Sequence, residues 1–410
     1  MSAPRPGFLP LPLPLPLLLL TLLSCSAEDT APTDPGTPVD CTLVVVHSDY
    51  VSSAVSILNE DGSLCRDAVV TSGSASPGLT TALSADLSLP ATPHPDGLVT
   101  IIDRTNAALT WLDPAADFAV AGQLTVSTGF AANPHDAIFP NPDTLWISRH
   151  HTNPTPGEQP FDQGGDILIV DPAASVITGR IDLGSLASVD HTPNPSRMRR
   201  IGDTIWLGLV HLSTDYLSGA DGMLVPIAVA DGTPGSPVTL TGLKNCTDFL
   251  PTPSESGLWV LCGGVFGDGA AGQLAASGLA YVDLTGAPKV TLSHSAGDFT
   301  TQPLGFSVVA PTDDQAWFIE FGGLAGTPER VRRFERSAGT FAETGIESTA
   351  FELGTLMLTN DRQRLYVPDG EPANPRIRRF ALDGDTATEL EPSDSNPSIG
   401  LPPRALGRIR

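Results

Sequence analysis

Residues 165–184 read GDILIVDPAASVITGRIDLG. An apolar run at 167–170 is followed by the turn Asp171-Pro172-Ala173-Ala174 and then by a second run, which is the pattern of an antiparallel hairpin. The pattern recurs at 53–70, 108–126, 222–242, 279–294, 330–345 and 376–392, giving seven copies. Upstream of most copies a polar turn leads into an aliphatic, an aromatic and another apolar residue. Asp143-Thr144-Leu145-Trp146-Ile147 precedes the quoted hairpin, and its counterparts centre on Trp206, Trp259, Trp317 and Tyr366. These aromatics lie 49–60 residues apart, an interval that suits a four-stranded repeat with uneven loops. The 40 Gly and 39 Pro among 410 residues exclude long helices over most of the chain.

The repeats predict an all-β fold, a seven-bladed β-propeller of four-stranded antiparallel blades over residues 41–410. The sequence resembles propellers built from YVTN-type repeats. Leu365-Tyr366-Val367 is similar to that family's second strand, and Ile167-Leu168-Ile169-Val170-Asp171 through Ile181-Asp182-Leu183-Gly184 to its third and fourth, although the strict tetrad is absent. Residues 41–46 open as a second strand with no first strand ahead of them. Residues 401–409 are the expected donor, closing the ring and removing a free edge. LVTIIDRTNAALTWLDP at 98–114 can be divided in more than one way, so eight blades stay open. The periodic Trp and Tyr residues are expected to pack between blades.

Residues 8–23, FLPLPLPLPLLLLTLL, form an apolar run preceded by Arg5 and followed by Ser24 and Cys25, the layout of a secretory signal peptide over 1–24. Leu22-Leu23-Ser24-Cys25 resembles the lipobox of bacterial lipoproteins, which implies that Cys25 is lipidated and becomes the mature N-terminus. Acyl chains there would hold the protein on a membrane. A retained anchor and a soluble secreted form are the alternatives. Residues 25–40 are rich in acid, Pro, Thr and Ser and read as a disordered tether. By the same resemblance, Ser26 favours an outer membrane lipoprotein facing the periplasm or the cell surface. Four other cysteines suggest two disulfides in an oxidising compartment, Cys246 with Cys262 across a hairpin and Cys41 with Cys65. No CxxC pair supports a zinc site instead.

The 46 Asp and Glu outnumber the 22 Lys and Arg, giving a net charge of −24 that argues against nucleic acid as a partner. In a propeller, loops between second and third strands and the connections between blades surround one mouth of the central channel. Long loops after Ile147, Trp206, Cys262 and Glu320 open on that face, where function usually resides. Seven of eight histidines map there, all but His94. Asn133-Pro134-His135-Asp136 and His191-Thr192-Pro193-Asn194-Pro195-Ser196-Arg197 precede innermost strands. His135, Asp136, Arg149, His150, Arg197, His211 and Glu320 are therefore the candidate ligand-binding residues, and cations gathered in an acidic background suit a small anionic or carbonyl ligand. No GxSxG, P-loop or HExxH is present. The first reading is a monomeric scaffold binding a ligand or an envelope protein without chemistry. The alternative is a lactonase-like or lyase-like enzyme using a divalent metal at a His and carboxylate cluster.

Overall fold

The computed structural model describes residues 41–323, 326–349, 351–393 and 400–410. The expected signal peptide at 1–24, the lipidation position Cys25 and the tether at 25–40 lie outside the described residues. Seven four-stranded antiparallel sheets follow one another along the rest of the chain, the arrangement of a seven-bladed propeller. Blade 1 runs from Pro403–Arg408 at its inner edge through Cys41–Ser48 and Ser53–Asn59 to Leu64–Thr71. Leu43 pairs with Arg408 and Val45 with Leu406, so the C-terminal strand closes the ring as the missing first strand required. Blade 2 resolves the ambiguous stretch, with Val99–Asp103 as its second strand and Ala108–Asp113 as its third behind a two-residue inner strand, Leu87–Ser88.

In blades 3 to 7 the inner strands are Pro134–Asn141, Pro195–Ile201, Cys246–Pro251, Leu304–Val309 and Met357–Leu358. Their second strands are Thr144–Thr152, Thr204–Leu209, Gly257–Gly263, Gln315–Glu320 and Arg364–Asp369. Trp146, Trp206, Trp259, Trp317 and Tyr366 all lie in these second strands and are at most 4% exposed. The apolar clusters sit between neighbouring blades: Trp146 packs with Ile205 and Val225 of blade 4, and Trp317 with Leu365 and Val367 of blade 7. Each such aromatic contributes about 1.5–3 kcal/mol through burial. Interfaces between wedges are thus the core of the molecule.

Polar staples join the same wedges. The buried Asp136 carboxylate of blade 3 accepts from the Ala91 amide on the blade 2 side at 2.8 Å and from Met198 N–H of blade 4 at 2.7 Å. Asp248 of blade 5 accepts from Val308 N–H of blade 6 at 3.1 Å, and the Ser307 hydroxyl accepts from Leu356 N–H of blade 7 at 2.9 Å. Both expected disulfides are in place. Cys246 and Cys262 stand directly opposite each other on the first two strands of blade 5, and Cys41–Cys65 spans the second and fourth strands of blade 1 with Cα atoms 5.8 Å apart.

Candidate functional site

The upper mouth is shaped by a device repeated in consecutive blades. Asn133, Asn194 and Asn245 come just before the inner strands of blades 3, 4 and 5, all left-handed with φ of 49°, 46° and 55°. Asparagine tolerates that conformation better than most L-residues. Each inner strand then bulges against its neighbour. Pairing passes from Pro134 to Asp136, from Pro195 to Met198, from Cys246 to Asp248 and, in blade 6, from Leu304 to Val308. His135, Ser196 with Arg197, Thr247 and, in blade 6, Phe306 are among the residues left out of register. Those named all line one cavity of about 370 Å³. Bulges re-aim side chains in this way next to functional sites.

His135 and His150 stack face to face in this cavity, with ring centroids 4.0 Å apart and planes 7° from parallel. Burial is the main cause that takes the His150 pKa down to about 3, with the charges of His151 and Arg104 acting the same way and a hydrogen bond to the Pro195 carbonyl opposing them. Burial likewise holds His135 well below its ordinary value, helped by the neighbouring charges of His150, Arg104 and Arg197. Both imidazoles are therefore neutral near pH 7. Arg104 is held by Asp86, its Nε donating to the carboxylate at 2.9 Å. Arg197 is different. Its Nη1 donates to the Leu89 carbonyl at 2.8 Å, and among the described residues no carboxylate lies within ion-pair distance of it. It also borders a second cavity of about 330 Å³ that continues down the channel along Arg199, Asp248 and Val308. Tyr216, from the long loop of blade 4, forms part of the rim and is braced by His151, whose Nε2 meets the tyrosine hydroxyl.

Of the seven candidate residues, the structure brings His135, His150 and Arg197 to one cavity. Asp136, Arg149, His211 and Glu320 are not on its wall. Asp136 is fully buried, and backbone amides occupy its oxygens. Arg149 is also fully buried. Its Nε and Nη2 donate to the two Asp166 oxygens at 2.8 Å each, and its remaining donors reach Thr128 and the Phe161 carbonyl. The His211 ring lies between the carbonyls of Asp221 and Leu186, at 2.8 and 2.9 Å. Glu320 is paired with Arg332 at 3.1 Å on the neighbouring strand. Each of the four has partners within the scaffold, so none converges on the mouth.

Sequence reasoning missed Arg104, Tyr216, Phe266 and Phe306, which also line the cavity. Arg104 directly follows the second strand of blade 2, close to the place His150 holds in blade 3, but that equivalence needs the strand division of blade 2. Tyr216 and Phe266 are aromatics in polar or Gly-rich loops, a signal that could have been used. Phe306 reaches the mouth only through a bulge, which leaves no mark in the sequence. For a metal, among the described residues no three of His, Cys, Asp and Glu are placed to share one ion.

No family model matches the chain, and no curated protein matches it in sequence. Solved structures match it in fold. A periplasmic gluconolactonase of Pseudomonas aeruginosa aligns at 10% identity over 90% of this chain and 99% of that chain, with a TM-score of 0.58. A putative 6-phosphogluconolactonase of Bacteroides uniformis aligns at 12% identity over 90% and 99%, with a TM-score of 0.56. A functionally unknown protein of Desulfotomaculum acetoxidans aligns at 11% identity over 90% and 98%, with a TM-score of 0.54. At these identities the likeness establishes the propeller fold.

Proposed function

We propose that this chain is an extracytoplasmic propeller that binds a small organic anion at the upper mouth of its channel. The observation that carries the reading is Arg197, a guanidinium with no carboxylate within ion-pair distance among the described residues of a chain whose net charge is −24, although the buried Asp248 lies within reach of its field. A cation left unpaired among so many acids, in a concave site with Ser196, Thr247, Asn133 and two neutral imidazoles around it, is arranged to meet an anion. The two imidazoles add hydrogen-bonding capacity without repelling the arginines. Titration calorimetry of the purified protein with gluconate, acetate and 4-phenylbutyrate at low salt should show saturable binding of at least one, lost in Arg197→Ala and weakened by salt. Unchanged binding in Arg197→Ala would end the reading.

The proposed location is the outer membrane, through lipid on Cys25, with the tether at 25–40 linking it to the propeller. The two disulfides support an oxidising compartment. Cys25→Ser should release the protein from membranes, and a mature N-terminus without acyl mass would contradict the anchor.

A second reading, hydrolysis of a lactone, is favoured by the neutral imidazoles beside Arg197 and by fold neighbours named as gluconolactonases. Arg197 would polarise the carbonyl, and His135 would take a proton from the water that adds to the acyl carbon and return it to the ring oxygen as the acyl C–O bond breaks. A base held as far below its ordinary value as His135 is a weak one, which is why binding ranks first. Turnover of glucono-1,5-lactone in a pH-stat, abolished in His135→Gln, would reverse the order.

A further inference from the structure

The cavity wall has two chemically distinct halves. Blades 2 to 4 contribute Arg104, His135, His150 and Arg197, whereas the long loops of blades 4 and 5 and the bulge of blade 6 contribute Leu212, Val265, Phe266 and Phe306, and blade 5 also places Asn245 and Thr247 on the wall. Phe266 is 60% exposed and Phe306 44%, an unusual state for phenylalanine. Neither ring is loosely held. Both pack on Phe321, with centroids 6.3 and 5.0 Å away, and Phe321 is itself only 8% exposed.

Glycines make room for this wall. A Cβ at Gly263, the end of the second strand of blade 5, would come within 2.6 Å of the Phe306 ring. A Cβ at Gly267 would lie 2.0 Å from the Leu217 carbonyl, so the loop carrying Phe266 fits backbone to backbone against the loop of blade 4. The apolar half is therefore a built surface, braced from behind and open towards the cavity that Arg197 also faces.

We infer that the ligand is an amphiphilic carboxylate, an anion bearing an aryl or alkyl body, rather than a polyhydroxylated acid. This rests on the anion-binding reading. A carboxylate on Arg197 leaves the rest of a small molecule to occupy a cavity of about 370 Å³, where the side chains of Leu212, Val265, Phe266 and Phe306 offer a polyol no hydrogen bond and blade 5 supplies only Asn245 and Thr247. An apolar body would cover both exposed rings, and its transfer from water would supply the affinity that a single ion pair near solvent does not.

The test is calorimetric titration of the purified protein with 4-phenylbutyrate, gluconate and uncharged 4-phenylbutanamide. The expected result is that 4-phenylbutyrate binds at least tenfold more tightly than either of the others. Phe306→Ala should weaken 4-phenylbutyrate at least tenfold more than it weakens gluconate, Phe306→Leu should restore most of the loss, and Gly263→Ala should reproduce it in part by displacing the ring. Gluconate binding as tightly as 4-phenylbutyrate would overturn the inference while leaving the anion site standing. The amide matching the acid would overturn the anion reading itself, and no binding of any of the three would overturn both. Melting curves on the variants separate lost binding from lost folding.

Discussion

Arg149 and Arg197 sit one blade apart, both near the upper face, and the same guanidinium does opposite work in each. Arg149 has no exposed surface and meets Asp166 through two parallel hydrogen bonds, with Thr128 and the Phe161 carbonyl taking its other donors. Arg197 has one carbonyl and an open cavity. The first is part of the frame and the second is available. A cation's partners, more than its neighbourhood, tell which of the two it is.

The sharpest way to break this comparison is to truncate both. Arg149→Ala leaves the Asp166 carboxylate buried, with only Arg180 at 3.5 Å in compensation, and should destabilise by about 3–5 kcal/mol in urea denaturation. A loss below about 1 kcal/mol would remove the distinction. The imidazoles come next. The folded state holds His150 at about 3 while an unfolded histidine titrates near 6.5, so in that window the unfolded chain binds the extra proton. The stability contributed by this site is fully present above pH 6.5 and is lost as pH falls towards 3. Between pH 6.5 and 5 the loss should approach about 2 kcal/mol at roughly 1.4 kcal/mol per pH unit, and His150→Gln should flatten the profile by that amount. A variant with the parent's pH slope would contradict it.

Smaller effects sharpen the contrast. Asp136→Asn replaces one of two acceptor oxygens with a donor facing backbone N–H groups and should cost about 1–3 kcal/mol, read as a lower denaturation midpoint. Arg197→Ala should cost less than about 1 kcal/mol, since only a single partly exposed hydrogen bond is lost, yet it should abolish anion binding. An Arg197→Ala protein as damaged as Arg149→Ala would place both arginines in the frame.

The blades were legible because their outer hairpins and aromatic second strands recur, and recurrence survives uneven loops. The inner strands were harder to read. Where pairing skips His135, Thr247 or Phe306, the alternation that reveals a strand is interrupted, so the residues aimed at the cavity are the ones pattern reading handles worst. The misplacement of Arg149 was avoidable in principle. Arg149 and Asp166 stand directly opposite each other across the second and third strands, so counting register back from the turn would have exposed the pair. Glu320 could be read the same way, because Arg330 stands opposite it across the second and third strands of blade 6, whereas His211 gave no such warning, since its partners are the backbone carbonyls of Asp221 and Leu186.

The ring is sealed by pairing Leu43 with Arg408, residues made at opposite ends of synthesis. Until the last strand arrives, Cys41–Ser48 presents a bare inner edge, although its outer neighbours and the Cys41–Cys65 bridge can already have formed. While the chain is still emerging, six blades can be complete and blade 1 still lacks its inner strand. The interval before residues 403–408 emerge is when a neighbouring nascent copy could insert its own strand. Slowing translation near codon 400 should raise the yield of strand-exchanged oligomers, and speeding it should suppress them.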